Sequence, residues 1–300
     1  SEYSTGSALK LAHDFADLSG CQGVVSVAAG KGSDLPPVLV SSPVVAGVFF
    51  TGSAATGRHL HAVANQQIQK PVYCETGGKG AALIYDLDSA QLPDVAKHLA
   101  ASLCMNQGQI CSAPSRIVIQ DSLAGEFFSL YMAALNEFNP GTHRLVGGLI
   151  SAQAAGRVAA MVNDFFQDET PAPIADCFDT RSIRPFAVEV HDESAPLWQE
   201  ELFAPVACLR RVSTLNEGLR AINHPRFALA NGVFSQNTQL IEQVIATSYS
   251  GMVHVNSWGV DAVGVPFGGF GDSGLGKEKS MATFDQFSRL KVVSQVPLKP

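Results

Sequence analysis

The sequence lacks any long apolar stretch and carries few charges. No apolar run reaches the roughly 18–20 residues that a transmembrane helix needs. Charged residues make up 16% and apolar residues 46% of the 300 residues, which is typical of a globular protein. The net charge of −7 argues against binding to nucleic acid or to an anionic membrane. We therefore expect one large or two ordinary globular domains without either partner.

Signals for metal binding and for secretion are lacking as well. The chain contains no Cys-x-x-Cys and no His-x-x-x-His pair, so the sequence offers no metal site. Residues 1–6 lack the basic and apolar regions of a signal peptide. An even number of cysteines permits disulfides, but their irregular spacing favours a reduced, cytoplasmic protein. The six are Cys21, Cys74, Cys104, Cys111, Cys177 and Cys208.

Two short segments each present one reactive side chain. Residues 75–79 read Glu-Thr-Gly-Gly-Lys, and residues 106–111 read Asn-Gln-Gly-Gln-Ile-Cys. A thiolate at Cys111 could attack a carbonyl carbon, and Glu75 could activate the water that later reaches that carbon. An isolated cysteine is more often a buried structural residue, and this is our interpretation of Cys104, which lies in an apolar helical stretch.

Apolar patterns along the chain alternate between strands and helices. They predict helices at 7–18, 92–105, 123–138 and 151–166, and another that begins near Gly57. Strands are predicted at 24–28, 44–50, 81–85, 116–120, 186–190, 206–212, 231–234 and 252–255, with a loop at 167–184. The run at 44–50 has the continuous apolar character of a strand buried on both faces. This alternation predicts an α/β protein with largely parallel sheets.

Five motifs, in one order along essentially the whole chain, resemble those of the aldehyde dehydrogenase superfamily. In chain order they are residues 50–53 followed by Gly57, 74–79, 106–111, 200–206, and a C-terminal signature at 266–270 and 273–274. The resemblance implies a partial Rossmann-type cofactor domain at 1–75 and an α/β catalytic domain at 76–276. It also implies that residues 277–300, including 286–293, pair with a neighbouring subunit, so a homo-oligomer, a dimer or tetramer, is expected.

The same resemblance assigns the chemistry to Cys111 and Glu75. The Cys111 thiolate would form a thiohemiacetal with an aldehyde, loss of hydride to a nicotinamide would give a thioester, and water activated by Glu75 would release the carboxylic acid. We expect such a cysteine to have a lowered pKa. Relatives that pass the acyl group to coenzyme A generally lack this glutamate, so its presence favours hydrolysis.

The cofactor implied by the resemblance is NAD. Gly52, Ser53 and Gly57 match its phosphate loop, while Glu201 and Phe203 match positions that hold the nicotinamide ribose and brace the ring. Alone, the glycine loop is a weak signal, since many α/β turns carry glycines. Glu2 matches a carboxylate that accepts the adenosine ribose hydroxyls and would repel a 2′-phosphate, which favours NAD over NADP.

Residues around the cysteine suggest the substrate class. Met105, Ile110, Ser112 and Trp258 are predicted to line a tunnel for the aldehyde, although each could equally be core. Residues 276–280 and 106–109 are most similar to the branch of the family that oxidises γ-aminobutyraldehyde and related aminoaldehydes. His254, in a Val-His-Val strand, could be a thiol-protease partner of Cys111, but we interpret it as an ordinary core or surface residue.

The sequence departs from the family pattern in three places. Thr76 and Gly271 stand where an apolar residue and a long polar side chain are common. The chain also begins inside a motif, without the strands, lysine and asparagine that precede it in relatives. We therefore expect a fragment of a longer enzyme, an enzyme completed by a second chain, or a natural short form. A non-catalytic relative that acts by binding or assembly therefore stays an alternative.

Overall fold

The computed structural model describes residues 3–20, 22–66, 70–144, 146–223, 226–259 and 262–297. The chain divides into two compact units, Ser1–Tyr73 and Cys74–Pro300. Among the described residues, we find no helix with both the length and the apolar character needed to span a bilayer.

The first unit contains a strand followed by a tightly capped helix. Its elements are α1 (Thr5–Ser19), α2 (Leu35–Ser41), β1 (Val48–Thr51) and α3 (Ala54–Ala64), followed by β2 (Val72–Glu75), which ends in the second unit. The amide of Val48 donates to the carbonyl of Pro71 at 2.9 Å, so β1 lies beside the start of β2. Gly20 ends α1 in the left-handed conformation, and the Ser53 hydroxyl accepts from the Thr56 amide to begin α3.

A six-stranded parallel sheet forms the second unit. Its order is β5-β6-β4-β3-β8-β9. The strands are β3 (Ala81–Ile84), β4 (Arg116–Gln120), β5 (Phe186–Glu189), β6 (Val206–Val212), β8 (Ala230–Phe234) and β9 (Met252–Val255). The register places Ala81 beside Arg116 and Arg116 beside Cys208. The central strands are buried on both faces, and an apolar cluster packs against each face.

Helices cover the sheet, and short antiparallel pairs border the reactive segments. The helices are α4 (Leu92–Cys104), α5 (Asp121–Asn136), α6 (Ala152–Phe165), α7 (Ala172–Ala175), α8 (Pro196–Gln199), α9 (Leu215–Ile222), α10 (Thr238–Thr247) and α11 (Met281–Phe287). Strand β7 (Phe227–Ala228) pairs with β10 (Phe270–Gly271), and β11 (Gly274–Leu275) pairs with the end of β2. The last pairing fixes Glu75 opposite Gly274.

The predicted α/β class with a largely parallel sheet is confirmed, and so are most of the predicted elements in the second unit. Two strand predictions in the first unit are wrong. Residues 24–28 form no strand and Val24 is exposed, while the strand predicted at 44–50 is limited to Val48–Thr51 and is only half-buried. An apolar run becomes a buried strand only where neighbouring strands and helices pack against it. The described part of the first unit has few such elements.

Candidate active site

Glu75 ends β2 as a buried carboxylate with one unpaired oxygen. Its side chain is 6% exposed, and Oε2 has no hydrogen-bond partner among the described residues. A Cβ at Gly268 would collide with Oε1, so this glycine makes room for the carboxylate. Burial, and secondarily Glu278, raises the pKa of Glu75 to about 8 against the opposing charges of Lys277 and Lys279. The carboxyl is therefore protonated at neutral pH and becomes a base near pH 8.

Cys111 lies on the loop between α4 and β4, after a segment in the left-handed conformation. Asn106 and Gln107, which have φ values of 50° and 60°, precede Gly108 at 69°. Two consecutive non-glycine residues in this region store strain of the kind found at functional sites. A Cβ at Gly78 would collide with the carbonyl oxygen of Cys111, so the cysteine loop packs directly on the glycines that follow Glu75.

The lowered pKa expected for Cys111 is contradicted. Burial first, and then the carboxylates of Glu201 and Glu75, raise the pKa of the Cys111 thiol to about 11. The backbone amides of Ser112 and Cys111 oppose this shift because they interact with the sulfur. The sequence predicted Glu75 in the same site as the thiol, but it did not indicate that burial, followed by Glu201 and Glu75, would raise the pKa of Cys111.

The predicted core cysteine, Cys104, is confirmed. It is fully buried at the end of α4, and burial raises its pKa to about 12. The five cysteines in the described residues are free thiols.

Glu201 is held against Gly77 and Gly78, the two glycines that follow the Glu75 segment. Its Oε1 accepts a hydrogen bond from the Gly78 amide at 3.0 Å, and a Cβ at Gly77 would collide with its carboxylate. Burial raises its pKa, while the Gly78 amide and then Lys79 and Arg157 lower it. Cys111, Glu75 and Glu201 therefore share one electrostatic site in the second unit.

Phe203 has a conformation suited to ligand contact. Its φ is 55°, and its ring is 39% exposed although neighbouring Leu202 and Ala204 are buried. A bulky residue in the left-handed region is a true outlier that its surroundings must hold in place. Arg157 does so here, because its guanidinium donates to the carbonyls of Glu201 and Leu202 at 3.3 and 2.8 Å.

Sequence reasoning missed two buried basic residues near Gly77 and Gly78, Lys79 and Arg116. Lys79 is 2% exposed, its amine has no hydrogen-bond partner among the described residues, and burial lowers its pKa. Arg116 is 1% exposed and donates to the carbonyls of Lys79, Ala221 and Ile222 at 2.8–3.0 Å. Arg116 therefore joins the end of α9 to Lys79, which follows Gly77 and Gly78. The sequence did contain a signal for Arg116, because it is a charged residue at the start of an apolar strand.

In the first unit, the predicted phosphate loop has the expected local form. Gly52 and Ser53 connect β1 to α3, and Gly57 is buried in the first part of that helix. A strand, a glycine turn and a helix N-terminus direct amides toward a phosphate. Glu2, the predicted adenosine ribose ligand, lies outside the described residues.

The predicted tunnel residues occupy different environments. Met105 is exposed, and Ile110 and Ser112 are half-buried on the cysteine loop. Trp258 is 4% exposed within the core cluster, and its indole N–H donates to the Ser112 carbonyl at 2.9 Å. His254 lies on β9 with its ring 5.2 Å from that of Trp258. The tunnel itself stays a prediction.

Thr76 and Gly271, the two residues that depart from the family pattern, can each be explained by their local contacts. The Thr76 hydroxyl donates to the Asp272 carbonyl at 2.6 Å, and its amide donates to the Ser273 carbonyl at 3.1 Å. Both hydrogen bonds join the Glu75 segment to the motif at 266–274. Gly271 has a φ of 58°, and a Cβ there would lie 2.7 Å from the Arg226 carbonyl. A long polar side chain is therefore disfavoured at this position.

Comparison with known proteins gives one consistent result. The model of the aldehyde dehydrogenase family matches residues 1–293. The NADP/NAD-dependent aldehyde dehydrogenase PuuC of Escherichia coli (strain K12) is 29% identical, covering 98% of this chain and 60% of PuuC. Vanillin dehydrogenase of Pseudomonas sp. (strain HR199 / DSM 7063) is 31% identical, covering 90% of this chain and 57% of that protein.

A solved structure agrees with these matches. The NAD-dependent aldehyde dehydrogenase from Sinorhizobium meliloti superimposes with a TM-score of 0.89 at 26% identity. The match covers 100% of this chain and 61% of that structure. The chain therefore spans about three fifths of the length of these proteins.

Proposed function

Because this chain belongs to the aldehyde dehydrogenase family, we propose that it oxidises an aldehyde to a carboxylic acid with NAD, through a covalent intermediate on Cys111. The proposal rests on the juxtaposition of Cys111 and Glu75. The Glu75 carboxylate is near enough to raise the pKa of the thiol, and one of its buried oxygens has no partner among the residues that the structure describes. A nucleophile and a base in one site are what acyl transfer to water requires.

The first half of the reaction belongs to Cys111. Its thiolate forms a C–S bond to the aldehyde carbon while the C=O electron pair moves to oxygen. The Ser112 amide assists by stabilising the thiolate before attack. Bound NAD would accept the hydride that leaves this carbon, and the carbon then remains on sulfur as a thioester.

The second half belongs to Glu75. Once ionised, the carboxylate takes a proton from water as the water oxygen attacks the thioester carbon. The C–S bond breaks, the acid leaves, and Cys111 is regenerated as the thiolate. Because the pKa of Glu75 is about 8, this hydrolysis should become faster as pH rises from 6 to 8.

Two sets of residues, each considered within its own unit, suit parts of a dinucleotide. In the second unit, Glu201 offers a carboxylate suited to ribose hydroxyls, and the exposed ring of Phe203 offers a flat apolar surface. In the first unit, the turn at Gly52 and Ser53 and the start of α3 would hold a phosphate. The preference for NAD over NADP depends on Glu2 and stays part of the proposal.

We also propose that residues 277–300 mediate self-association. Leu290, Val292 and Val296 are almost fully exposed in the second unit, and Phe284 and Phe287 of α11 are two-thirds exposed. Several exposed apolar side chains within one short segment are typical of an interface. A homo-oligomer would cover them. Cytoplasmic location stays a prediction.

The non-catalytic alternative has one observation in its favour. A thiol with a pKa of about 11 is almost entirely protonated at neutral pH, whereas a catalytic cysteine is usually activated. Binding or assembly would need no activated thiol. The same functional test separates the two proposals.

The test is formation of reduced nicotinamide by the 300-residue chain with NAD, using an aminoaldehyde and vanillin as alternative substrates. Turnover should disappear in Cys111→Ala and fall at least 100-fold in Glu75→Gln, because loss of a general base typically costs 10²–10⁴-fold. A folded chain without turnover on any aldehyde would support the non-catalytic alternative. Preference for vanillin would overturn the aminoaldehyde assignment.

A further inference from the structure

The Arg226 guanidinium joins two carboxylates of the second unit. Its Nη1 donates to Oε1 of Glu200 at 2.6 Å, and its Nε donates to Oδ2 of Asp272 at 3.0 Å. Because different nitrogens of one planar group serve the two carboxylates, the guanidinium fixes the direction of each. Arg226 therefore holds together two segments that lie far apart in the sequence.

Backbone contacts support the pairing of Arg226 with Asp272. Strand β7 begins directly after Arg226, and its antiparallel partner β10 ends directly before Asp272. The Asp272 amide donates to the Arg226 carbonyl at 2.8 Å, so these two residues continue the pairing of the strands. A Cβ at Gly271 would lie 2.7 Å from that carbonyl, so the glycine permits the close approach.

Asp272 connects Arg226 to the segment that contains Glu75. The Asp272 carbonyl accepts a hydrogen bond from the hydroxyl of Thr76 at 2.6 Å, and Thr76 directly follows Glu75. The next carbonyl, that of Ser273, accepts from the Thr76 amide at 3.1 Å. Arg226 is thus linked to the residue after Glu75 through Asp272 alone.

Glu200 connects Arg226 to Glu201. The two glutamates are adjacent, and Oε1 of Glu201 accepts from the Gly78 amide at 3.0 Å. Gly78 lies two residues after Thr76, so the contacts return to the segment of Glu75. They form a closed ring of contacts that runs through Thr76, Gly78, Glu201, Glu200, Arg226 and Asp272.

We propose that Arg226 is a positioning residue that sets the spacing between Glu75 and Glu201. Without its guanidinium the ring of contacts opens, and each carboxylate can move with its own segment. This inference rests on the proposed roles of Glu75 as the base and Glu201 as a cofactor ligand. The Arg226 side chain is 40% exposed, and exposed ion pairs contribute little to stability, so its effect should fall on the site and not on folding.

Three variants and a control separate the bridge from the charge of Arg226. Arg226→Met removes the guanidinium, and Glu200→Ala/Asp272→Ala removes both of its acceptors. Arg226→Met combined with that double change forms the third variant. Arg220→Met makes the same substitution at an exposed position of α9 and serves as the control. Far-ultraviolet circular dichroism and melting curves check that each variant is folded.

The first measurement is the titration of Glu75 by infrared spectroscopy. The C=O band of its protonated carboxyl group is isolated by subtracting the spectrum of the same protein with Glu75→Gln. Loss of a positive charge would by itself raise the pKa of Glu75, whereas movement of its segment toward water would lower that pKa. The titratable groups that interact with Glu75, all of them retained in these variants, are Cys74, Cys111, Lys277, Glu278 and Lys279.

We expect the midpoint in Arg226→Met to fall by about one pH unit, a fraction of the roughly 3–5 units that full burial can cause. The midpoint should be unchanged in Arg220→Met. Adding Arg226→Met to Glu200→Ala/Asp272→Ala should lower it no further, because the bridge is already absent.

The second measurement follows Glu201 through its donor. Hydrogen exchange of the Gly78 amide, measured by mass spectrometry of the peptide that contains it, reports on the hydrogen bond to Glu201. Exchange should become about tenfold faster in Arg226→Met and stay at the wild-type rate in Arg220→Met.

Three results would overturn the proposal. They are an unchanged or raised Glu75 midpoint in Arg226→Met, unchanged exchange of the Gly78 amide, and a further fall of the midpoint when Arg226→Met is added to the double variant. The last result would show that Arg226 acts without its two partners. Because neither measurement uses NAD, an aldehyde or turnover, a failure of the proposed function leaves this test intact.

Discussion

The raised pKa of Glu75 predicts that its replacement by glutamine changes how stability depends on pH. In the folded chain the pKa is about 8, and its ordinary value is 4.5. Below pH 4.5 both folded and unfolded chains hold this proton, so Glu75 adds no pH dependence there. Between pH 4.5 and 8 only the folded chain holds it, and folding therefore becomes less favourable as pH rises. Above pH 8 both states have lost the proton and the dependence ends.

The magnitude follows from the number of protons bound. One proton retained only by the folded chain lowers the free energy of unfolding by about 1.4 kcal/mol for each pH unit. From pH 5.5 to 7.5, wild type should therefore lose about 2.5 kcal/mol relative to Glu75→Gln. Little is subtracted for solvent screening because the side chain is only 6% exposed. A constant difference between the proteins, from packing of the amide, leaves this slope unchanged.

Urea unfolding followed by tryptophan fluorescence measures the effect. Both tryptophans, Trp198 and Trp258, are buried in the unit that contains Glu75, so their emission reports on that unit. Glu126→Gln, an exposed position on α5, is the matched control and should track wild type. If the difference between wild type and Glu75→Gln stays constant from pH 5.5 to 7.5, Glu75 ionises normally and our account of its burial is wrong.

Three further predictions test the rest of the site. Alkylation of Cys111 should rise about tenfold for each unit from pH 7 to 10, because its pKa is about 11; a plateau near pH 8 would show an activated thiol instead. Gly77→Ala should displace Glu201 and weaken NAD binding about tenfold by calorimetry, whereas Gly125→Ala, which meets no atom within 4 Å, should not; equal affinities would contradict the assignment. Arg116→Met should lower the urea unfolding free energy by about 3 kcal/mol, because three buried carbonyls lose their donor; a change below about 0.5 kcal/mol would refute that role.

Local patterns were sufficient for the parallel sheet and insufficient for the first unit. The segments 116–120 and 206–212 became strands within the predicted bounds, because neighbouring strands cover their β-rich runs on both sides, and 252–255 became β9, which pairs with β8 at the end of the sheet order. The run at 24–28 has a similar composition but forms no strand. Composition states which residues can form a strand, whereas pairing decides which of them do.

The candidate site shows the same limit in its electrostatics. The motif predicted Cys111 and Glu75 because their residue types and flanking glycines are local features. The raised pKa of Cys111 comes first from burial and then from Glu201, which lies in a distant part of the sequence. Lys79 and Arg116 were missed for the same reason, since their burial follows from the packing of β6 and α9 over the loop. Charge environment is a tertiary property.

The site combines features that lower the stability of the fold but are consistent with one proposed reaction. Glu75 ionises at about 8 and Cys111 at about 11, so the thiol must lose its proton beside a carboxylate that is already charged. At neutral pH Glu75 is protonated, and the resting site avoids two adjacent negative charges. A rise in pH produces first the base and then the nucleophile, so both halves of the proposed reaction should accelerate in the same direction. Within the described part of the chain, one oxygen of the buried Glu75 carboxylate and the Lys79 amine lack a partner, and two consecutive residues are left-handed. Each of these features lowers stability and would have no use in a purely structural loop. Their coincidence around Cys111 favours catalysis over a scaffold role.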